Sequence, residues 1–562
     1  MRKLSAFPPA ISLLVLTAPQ ALWAQDRRLT ALDEEVWTIG FPTDNAGNAA
    51  AAQITPIEIM AVETPDLVTN NNQPLTPDDS DNFRIGAVGV VGSDALEADV
   101  FSPVVEAFIG READEEELAS LTQQIADIAR ENGLIFASAY IPEQAVQLGV
   151  LEIKLIEGHI DQVRIIGSDN AYLKASLASL EGKVARKSEI ERKILLAGDI
   201  PNIRVRSTEF LQEGGQNILQ VTVRERGDRL RLQADNYGSD SFGPVRARIS
   251  GDLRGKIHSA DALGLAVRTN PIEPSELLSV SGYYETAIGK NGLRAGLAGS
   301  IGDTSPSSNI AGSDLSGTSR YLALFASYPL VRASSGSLWI ETEAAYLSID
   351  REDMNALIRE DTEVTLSFGV RGEIPFAGGR FRAGAAIVQG FDIFDATRFG
   401  DPFASRSDGD GIFTKGEYWA DFRTGLTKDL SIYLAARGQI ASRPLLAAQE
   451  LGIGGAYRVR GFDFSELSGD DGFYGLAELR YKFRSRPSWL RRLQIYGFID
   501  MGYVNDLGSN FSEGTLLSAG PGLRGTIGPF DFELEAALPI NRDRDNSENK
   551  DPHLNVRVGM GF

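Results

Sequence analysis

The sequence contains no cysteine and only three histidines in 562 residues. Without cysteine there is no disulfide framework, no thiolate zinc or iron–sulfur site and no thiol nucleophile, and three scattered imidazoles do not make a multi-histidine metal centre. Basic charge is also short: 55 Lys and Arg stand against 77 Asp and Glu, a formal net charge of -22. Gripping a phosphate backbone needs a surplus of cations, so nucleic acid is not an expected partner. No Walker-type glycine-lysine loop occurs, so no nucleotide is expected either. Missing too is any apolar run near the roughly 20 residues that a spanning helix needs beyond the N-terminus. These absences leave no expected metal, cofactor or catalytic centre.

Glycine is plentiful, and it is unevenly spread. Of 58 glycines, 15 fall in residues 1–227 and 43 in residues 228–562, and 36 of the 47 aromatic residues share that second part. A long Gly- and aromatic-rich region without an apolar helix is suited to crossing a membrane as strands.

The N-terminus has the order of a secretory signal: Met1-Arg2-Lys3, an apolar stretch around Ile11 to Leu16, then Ala21-Leu22-Trp23-Ala24. Cleavage is expected after Ala24, giving a signal peptide over 1–24. Residues 25–82 form an acidic lead-in, with 11 acidic residues and only Arg27 and Arg28 as cations from residue 26 onward. Such a composition buries little and reads as a linker.

Two small αβ units follow, over 83–158 and 159–226. In the first, Asp114 to Glu117 open a helix with Leu118, Leu121, Ile125 and Ile128 on one face, and Asn132-Gly133 stop it. Residues 134–140 and 150–156 read as strands, giving the order strand, helix, helix, strand, strand. The same order recurs with strands at 160–166, 203–208 and 218–225 and helices at 171–180 and 188–197. A pair of soluble modules before a membrane part reads as a docking platform; a single αβ domain with no binding role is the plainer alternative.

From 227 to 562 the chain is full of period-two segments. Over 530–540, Phe530, Phe532, Leu534, Ala536 and Leu538 alternate with Asp531, Glu533 and Glu535, and the last strand sets Leu554, Val556, Val558, Met560 and Phe562 against His553, Asn555 and Arg557. A soluble sandwich also alternates, but the export signal, the length and the terminal aromatic favour the outer membrane. At about 21 residues per strand and connection the region holds about 16 antiparallel strands. The fold class expected is therefore α+β modules followed by an all-β transmembrane barrel.

One motif narrows the function. Ile453-Gly454-Gly455-Ala456-Tyr457-Arg458-Val459-Arg460-Gly461-Phe462, followed by Gly469-Asp470-Asp471-Gly472 and Glu478-Leu479-Arg480, resembles the Val-Arg-Gly-aromatic loop of the two-partner secretion transporters. These are the haemolysin activation and secretion proteins, within the larger outer-membrane family that includes the barrel assembly proteins. Phe498-Ile499-Asp500-Met501-Gly502 resembles that family's Phe-x-Asp-x-Gly strand, and Asp235-Asn236-Tyr237-Gly238-Ser239 resembles the start of its barrel. Gly133, Pro142, Gln144, Gly149, Leu151 and Glu157-Gly158 resemble its first polypeptide-transport-associated (POTRA) domain, and Ile200-Pro201-Asn202 to Val205 its second.

The resemblance implies a lumenal loop around 453–472, bearing Val459, Arg460, Gly461 and Phe462, that folds back so that Arg460 pairs with the barrel-wall motif of Phe498, Asp500 and Gly502. Residue parity agrees: Asp500 shares a strand face with Gln494, Tyr496 and Phe498, opposite Ile495, Ile499 and Met501. Gly461 is expected to permit a tight turn and Phe462 to pack on the inner wall. Gly133, Pro142 and Gln144 are the candidates for binding cargo in the first module. The resemblance further implies an outer-membrane protein, in contact with outer-membrane lipid, whose periplasmic POTRA domains pass an unfolded secreted exoprotein of the haemolysin or adhesin type to the surface. An outer-membrane insertase of the same superfamily and a diffusion porin are the alternatives. Gly520-Pro521-Gly522-Leu523-Arg524-Gly525 has the spacing of a dinucleotide loop, yet it sits among barrel-like strands with no helix after it and is taken as chance.

Overall fold

The computed structural model describes residues 84–562, apart from 113, 143, 145–148, 239–242, 306–314, 509–512 and 546. The signal read at 1–24 and the acidic lead-in at 25–82 lie outside the described residues. Two compact units make up the described chain, one reaching Arg226 and the other running from Gly227 to Phe562.

The first unit repeats one small motif. Its first copy is β1 (Ala87–Val91), α1 (Ser102–Phe108), α2 (Glu115–Glu131), β2 (Ser138–Tyr140) and β3 (Val150–Ile156), with β3 central, parallel to β1 and antiparallel to β2. The Asp114 carboxylate caps α2 by accepting the Glu117 N–H at 2.7 Å. Gly133, at φ 96°, carries the chain out of the helix where a Cβ would be strained. Leu121, Ile125 and Ala129 then bury against Leu151, Ile153 and Leu155 of β3. The strand expected over residues 134–140 is shorter than expected, because Leu134 and Ala137 turn inward to join this core; the Ala137 N–H closes that turn on the Leu134 carbonyl at 3.0 Å.

The second copy is β4 (Gln162–Ile166), α3 (Ala171–Leu177), α4 (Lys187–Gly198), β5 (Ile203–Glu213) and β6 (Gln216–Glu225), with β6 central. β5 runs well past the expected end at Thr208, because Gly214 and Gly215, at φ 59° and 79°, make a two-residue turn that keeps β5 and β6 paired to their ends. The copies abut: the Lys187 N–H donates to the Gly133 carbonyl at 2.8 Å, the Ile135 N–H to the Ala185 carbonyl at 3.1 Å, and the Phe136 and Phe210 rings meet edge-on at 5.5 Å.

The second unit is a closed antiparallel barrel of 16 strands. In chain order these are β7 (Arg229–Asp235), β8 (Arg246–Arg254), β9 (Asp261–Thr269), β10 (Leu277–Ile288), β11 (Leu293–Thr304), β12 (Leu315–Ala333), β13 (Gly336–Asp353), β14 (Ala356–Phe376), β15 (Gly379–Gly390), β16 (Thr414–Gly425) and β17 (Leu430–Ala441). A short hairpin, β18 (Leu451–Ile453) and β19 (Leu467–Gly469), interrupts the wall, which resumes with β20 (Asp471–Lys482), β21 (Leu490–Asn505), β22 (Glu513–Ile527), β23 (Phe530–Pro539) and β24 (His553–Gly561).

Closure is between β24 and β7, where Arg557 lies opposite Asp235 and the Phe562 N–H donates to the Leu230 carbonyl at 2.9 Å. It leaves no sheet edge to be solvated in lipid. No described helix is long and apolar enough to cross a membrane; the strands do so instead. Their outward faces carry Leu322, Leu324, Ile495, Ile499, Met501 and Leu554, all exposed, while Gln494, Tyr496, Phe498 and Asp500 of β21 are buried inside. The Gly-x-Gly-x-x-Gly stretch lies within β22 itself, where Gly520 lets the β23 backbone approach: a Cβ there would collide with the Ala536 carbonyl and stand 3.1 Å from the Phe498 ring.

Candidate functional site

The connection between β17 and β20 does not stay outside the barrel. Gly454 and Gly455, at φ 103° and 98°, reverse it after β18. The Gly455 N–H donates to the Phe462 carbonyl at 3.0 Å, and the Phe462 N–H to the Val459 carbonyl at 3.2 Å, closing residues 455–462 into a compact tip. That tip places Arg460 inside the barrel at 3% exposure.

There the guanidinium meets three carboxylates. Arg460 donates to both oxygens of Asp500, from Nε at 2.8 Å and Nη2 at 2.6 Å, and its backbone N–H adds a third bond at 3.0 Å. Its Nη1 reaches Glu478 at 2.6 Å and Glu535 at 2.8 Å. The cation also lies over the Phe498 ring at 3.6 Å from the centroid. A forked guanidinium is the side chain that can hold three anions in one plane while resting a face on an aromatic ring.

The surrounding wall continues the pattern. Arg524 binds Glu533 and Glu478 and stacks on Tyr496 at 4.0 Å, Arg480 binds Glu478 at 2.7 Å and stacks on Tyr433 at 4.3 Å, and Arg557 binds Glu533 at 2.5 Å. Four cations, Arg460, Arg480, Arg524 and Arg557, therefore face four anions, Asp500, Glu478, Glu533 and Glu535. Buried charge on this scale persists only because every ion has an opposite and hydrogen-bonded neighbour. A cavity of about 110 Å³ borders the network, lined by Tyr237, Trp419, Tyr457 and Arg460 among others.

Val459 and Phe462, both fully buried, pack with Leu451, Ile453, Tyr474, Val504 and Leu516, so the tip is seated by apolar contact as well as by charge. Gly502 is the floor of that seat: a Cβ on it would stand 3.1 Å from both Ile453 Cδ1 and Val459 Cγ2. Gly461 lies in a tight turn, the Val459–Phe462 turn closed by the Phe462 N–H, and its lack of a side chain is needed for a further reason. Its backbone is not left-handed; a Cβ there would meet Ser518 Cβ at 2.8 Å and Pro539 N at 2.9 Å, so it serves close approach to β22 and β23.

In the sequence Glu533 and Glu535 stand out only by alternation, and Glu478 only as part of the Glu478-Leu479-Arg480 stretch of the motif. Which of them would meet Arg460 depends on strand register, since Glu535 is opposite Gly522 and Glu478 opposite Phe498. In the first module Gly133 ends α2 and contacts the second copy, as described. The Gln144 amide continues the sheet beyond β2: its Nε2 donates to the Glu152 carbonyl at 2.7 Å and its Oε1 accepts the Glu152 N–H at 2.8 Å. Pro142 offers its carbonyl to the same amide at 3.4 Å. No group of three or more His, Cys, Asp or Glu arranged to hold a metal ion lies among the described residues.

Residues 214–525 match the family model of the haemolysin secretion/activation protein ShlB/FhaC/HecB, and residues 83–158 match the ShlB-type POTRA domain. Among curated relatives, the outer membrane transporter CdiB of Escherichia coli is 23% identical over 492 residues, covering 82% of this chain and 79% of CdiB. The heme/hemopexin transporter protein HuxB of Haemophilus influenzae is 20% identical over 483 residues, covering 80% of this chain and 82% of HuxB. Of solved structures, CdiB from Escherichia coli superposes with a TM-score of 0.78 at 19% identity, over 98% of this chain and all of that one. CdiB from Acinetobacter baumannii gives 0.67 at 17% identity, again over 98% of this chain and all of that one.

Proposed function

Because this chain belongs to the haemolysin secretion/activation family of outer-membrane transporters, whose POTRA domains lie in the periplasm and whose barrel passes an exoprotein to the surface, we propose that its Arg460 loop is the plug that yields to the cargo. The observation that carries this is the bidentate contact of Arg460 with Asp500, inside a lumen where all three carboxylates around the cation come from the wall. A loop held by charge on a polar wall can be exchanged for another polar chain without exposing the apolar outer face to water. Passage makes and breaks no covalent bond, so no catalytic centre is invoked.

The cargo is an unfolded exoprotein of the haemolysin or adhesin type, and the barrel's apolar outer face sits in outer-membrane lipid. Extended cargo segments add to free edges of the two POTRA sheets, where β1 and β2 flank β3, and β4 and β5 flank β6. Beyond β2 the Gln144 amide occupies the β3 ladder at Glu152, and a cargo segment adding there would take over its two bonds. With no nucleotide at the outer membrane, folding of the cargo outside supplies the direction.

The test is co-expression with a candidate exoprotein. Cargo should reach the medium only when this chain is present, and it should be retained in the periplasm when Arg460 is replaced. Export that is independent of this chain would overturn the reading.

A further inference from the structure

A second buried ion cluster lies outside the Arg460 site. Three connections leave the barrel end opposite the start of β7: residues 391–413 after β15, residues 442–470 after β17, and the segment after β21 that begins at residue 506. One side chain ties all three. Arg406, in the first connection, donates to Asp408 at 2.9 Å, to Glu450 at 2.7 Å and Asp470 at 2.9 Å in the second, and to the Leu507 carbonyl at 2.9 Å in the third. Asp470 is fully buried and mirrors this from the other side: it accepts the Leu445 N–H and the Leu507 N–H, each at 2.7 Å. Glu450 is held in turn by the Ser468 hydroxyl at 2.6 Å, and the Ala447 N–H donates to the Ser405 hydroxyl at 3.0 Å.

These contacts grip the stem of the same loop whose tip carries Arg460. Glu450 and Asp470 precede and follow the β18–β19 hairpin, so both ends of the loop's stem are tied to residues 391–413. We propose that Arg406 and Asp470 are positioning residues for transport: they latch the surface mouth of the barrel shut, and the latch must part each time cargo leaves. The physical reason for a latch that switches is the charge count. One guanidinium, carrying a single positive charge, bridges Asp408, Glu450 and Asp470, with Asp506 at 3.9 Å, so its withdrawal leaves carboxylates facing one another and drives the connections apart.

The inference rests on the transport reading above, and two measurements separate them. In cells without cargo, Arg406→Ala protein that inserts and is heat-modifiable like the wild type should admit bulky antibiotics and show larger single-channel conductance, with Arg406→Lys in between. Wild-type leak in Arg406→Ala would overturn the latch. The chain has no cysteine of its own, so Ser405→Cys with Ala447→Cys makes a clean cross-link across two connections. Oxidised double variant should lose cargo secretion and regain it on adding reductant. Secretion at the wild-type rate with the cross-link formed would overturn the latch and leave the transport reading standing, whereas cargo export that needs none of these proteins would overturn transport itself.

Discussion

Arg460 and Asp500, 40 positions apart in sequence, are joined by two side-chain hydrogen bonds at 2.8 and 2.6 Å and by the Arg460 backbone N–H at 3.0 Å. The carboxylate thus fixes both the side chain and the backbone of the loop tip, and both partners are buried.

Replacing Arg460 by Ala is expected to cut secretion sharply while the barrel still inserts, because Asp500, Glu478 and Glu535 lose their shared cation. Breaking a buried pair from one side costs about 3–5 kcal/mol. Asp500→Ala should be damaging but milder, since Arg460 keeps two carboxylates. Cargo in the medium, with heat-modifiable migration as the assembly control, gives the ranking; normal secretion from Arg460→Ala refutes the plug.

Gly502→Val should unseat the loop without touching a charge. Even a Cβ would crowd Ile453 and Val459 at 3.1 Å, and the branched side chain has nowhere to go but the space those residues fill. Protease access to residues 453–472 in intact outer membranes should rise, and an unchanged digestion pattern would argue against the seat.

Phe462→Ala tests the apolar half of the seating. Emptying a fully buried aromatic site costs about 3–5 kcal/mol, and here the loss falls on the docked state of the loop more than on the barrel. Larger resting conductance with an unaltered barrel melting temperature is the expected pair of results. A fall in barrel stability with no change in conductance would assign Phe462 to the wall instead.

Gln144→Ala strips the amide from the edge of β3 and leaves the Glu152 N–H and carbonyl without that partner. The loss of two exposed bonds should lower stability of the periplasmic unit by no more than about 1–2 kcal/mol. If that edge receives cargo, site-specific cross-linking between the first module and the exoprotein should rise, since the amide no longer occupies the ladder. Cross-linking that does not rise removes this edge from the cargo site.

What the sequence determined by itself was local or periodic. Alternation over β21, β23 and β24 decides which side chains face lipid, because the strand period is two whatever the neighbours are. Asp114 and Gly133 mark the ends of α2 through backbone chemistry alone, and parity along β21 is enough to turn Asp500 toward the lumen. The strand expected at 134–140 was longer than observed because Leu134 and Ala137 obey a core that periodicity does not see.

Tertiary structure decided everything that depends on register and on the return of a loop. Glu478 and Glu535 reach Arg460 because β20, β21, β22 and β23 are paired with particular offsets, and a one-residue slip would turn each carboxylate toward lipid. Gly461 lies in a local turn between Val459 and Phe462, but what bars a side chain there is the approach of the tip to Ser518 and Pro539, a need set by residues more than 50 positions away. Only Asp470 of the Arg406 cluster falls in a stretch that the sequence singles out, 469–472; the partners span residues 408 to 507, and the folding of three connections onto one guanidinium makes them a site.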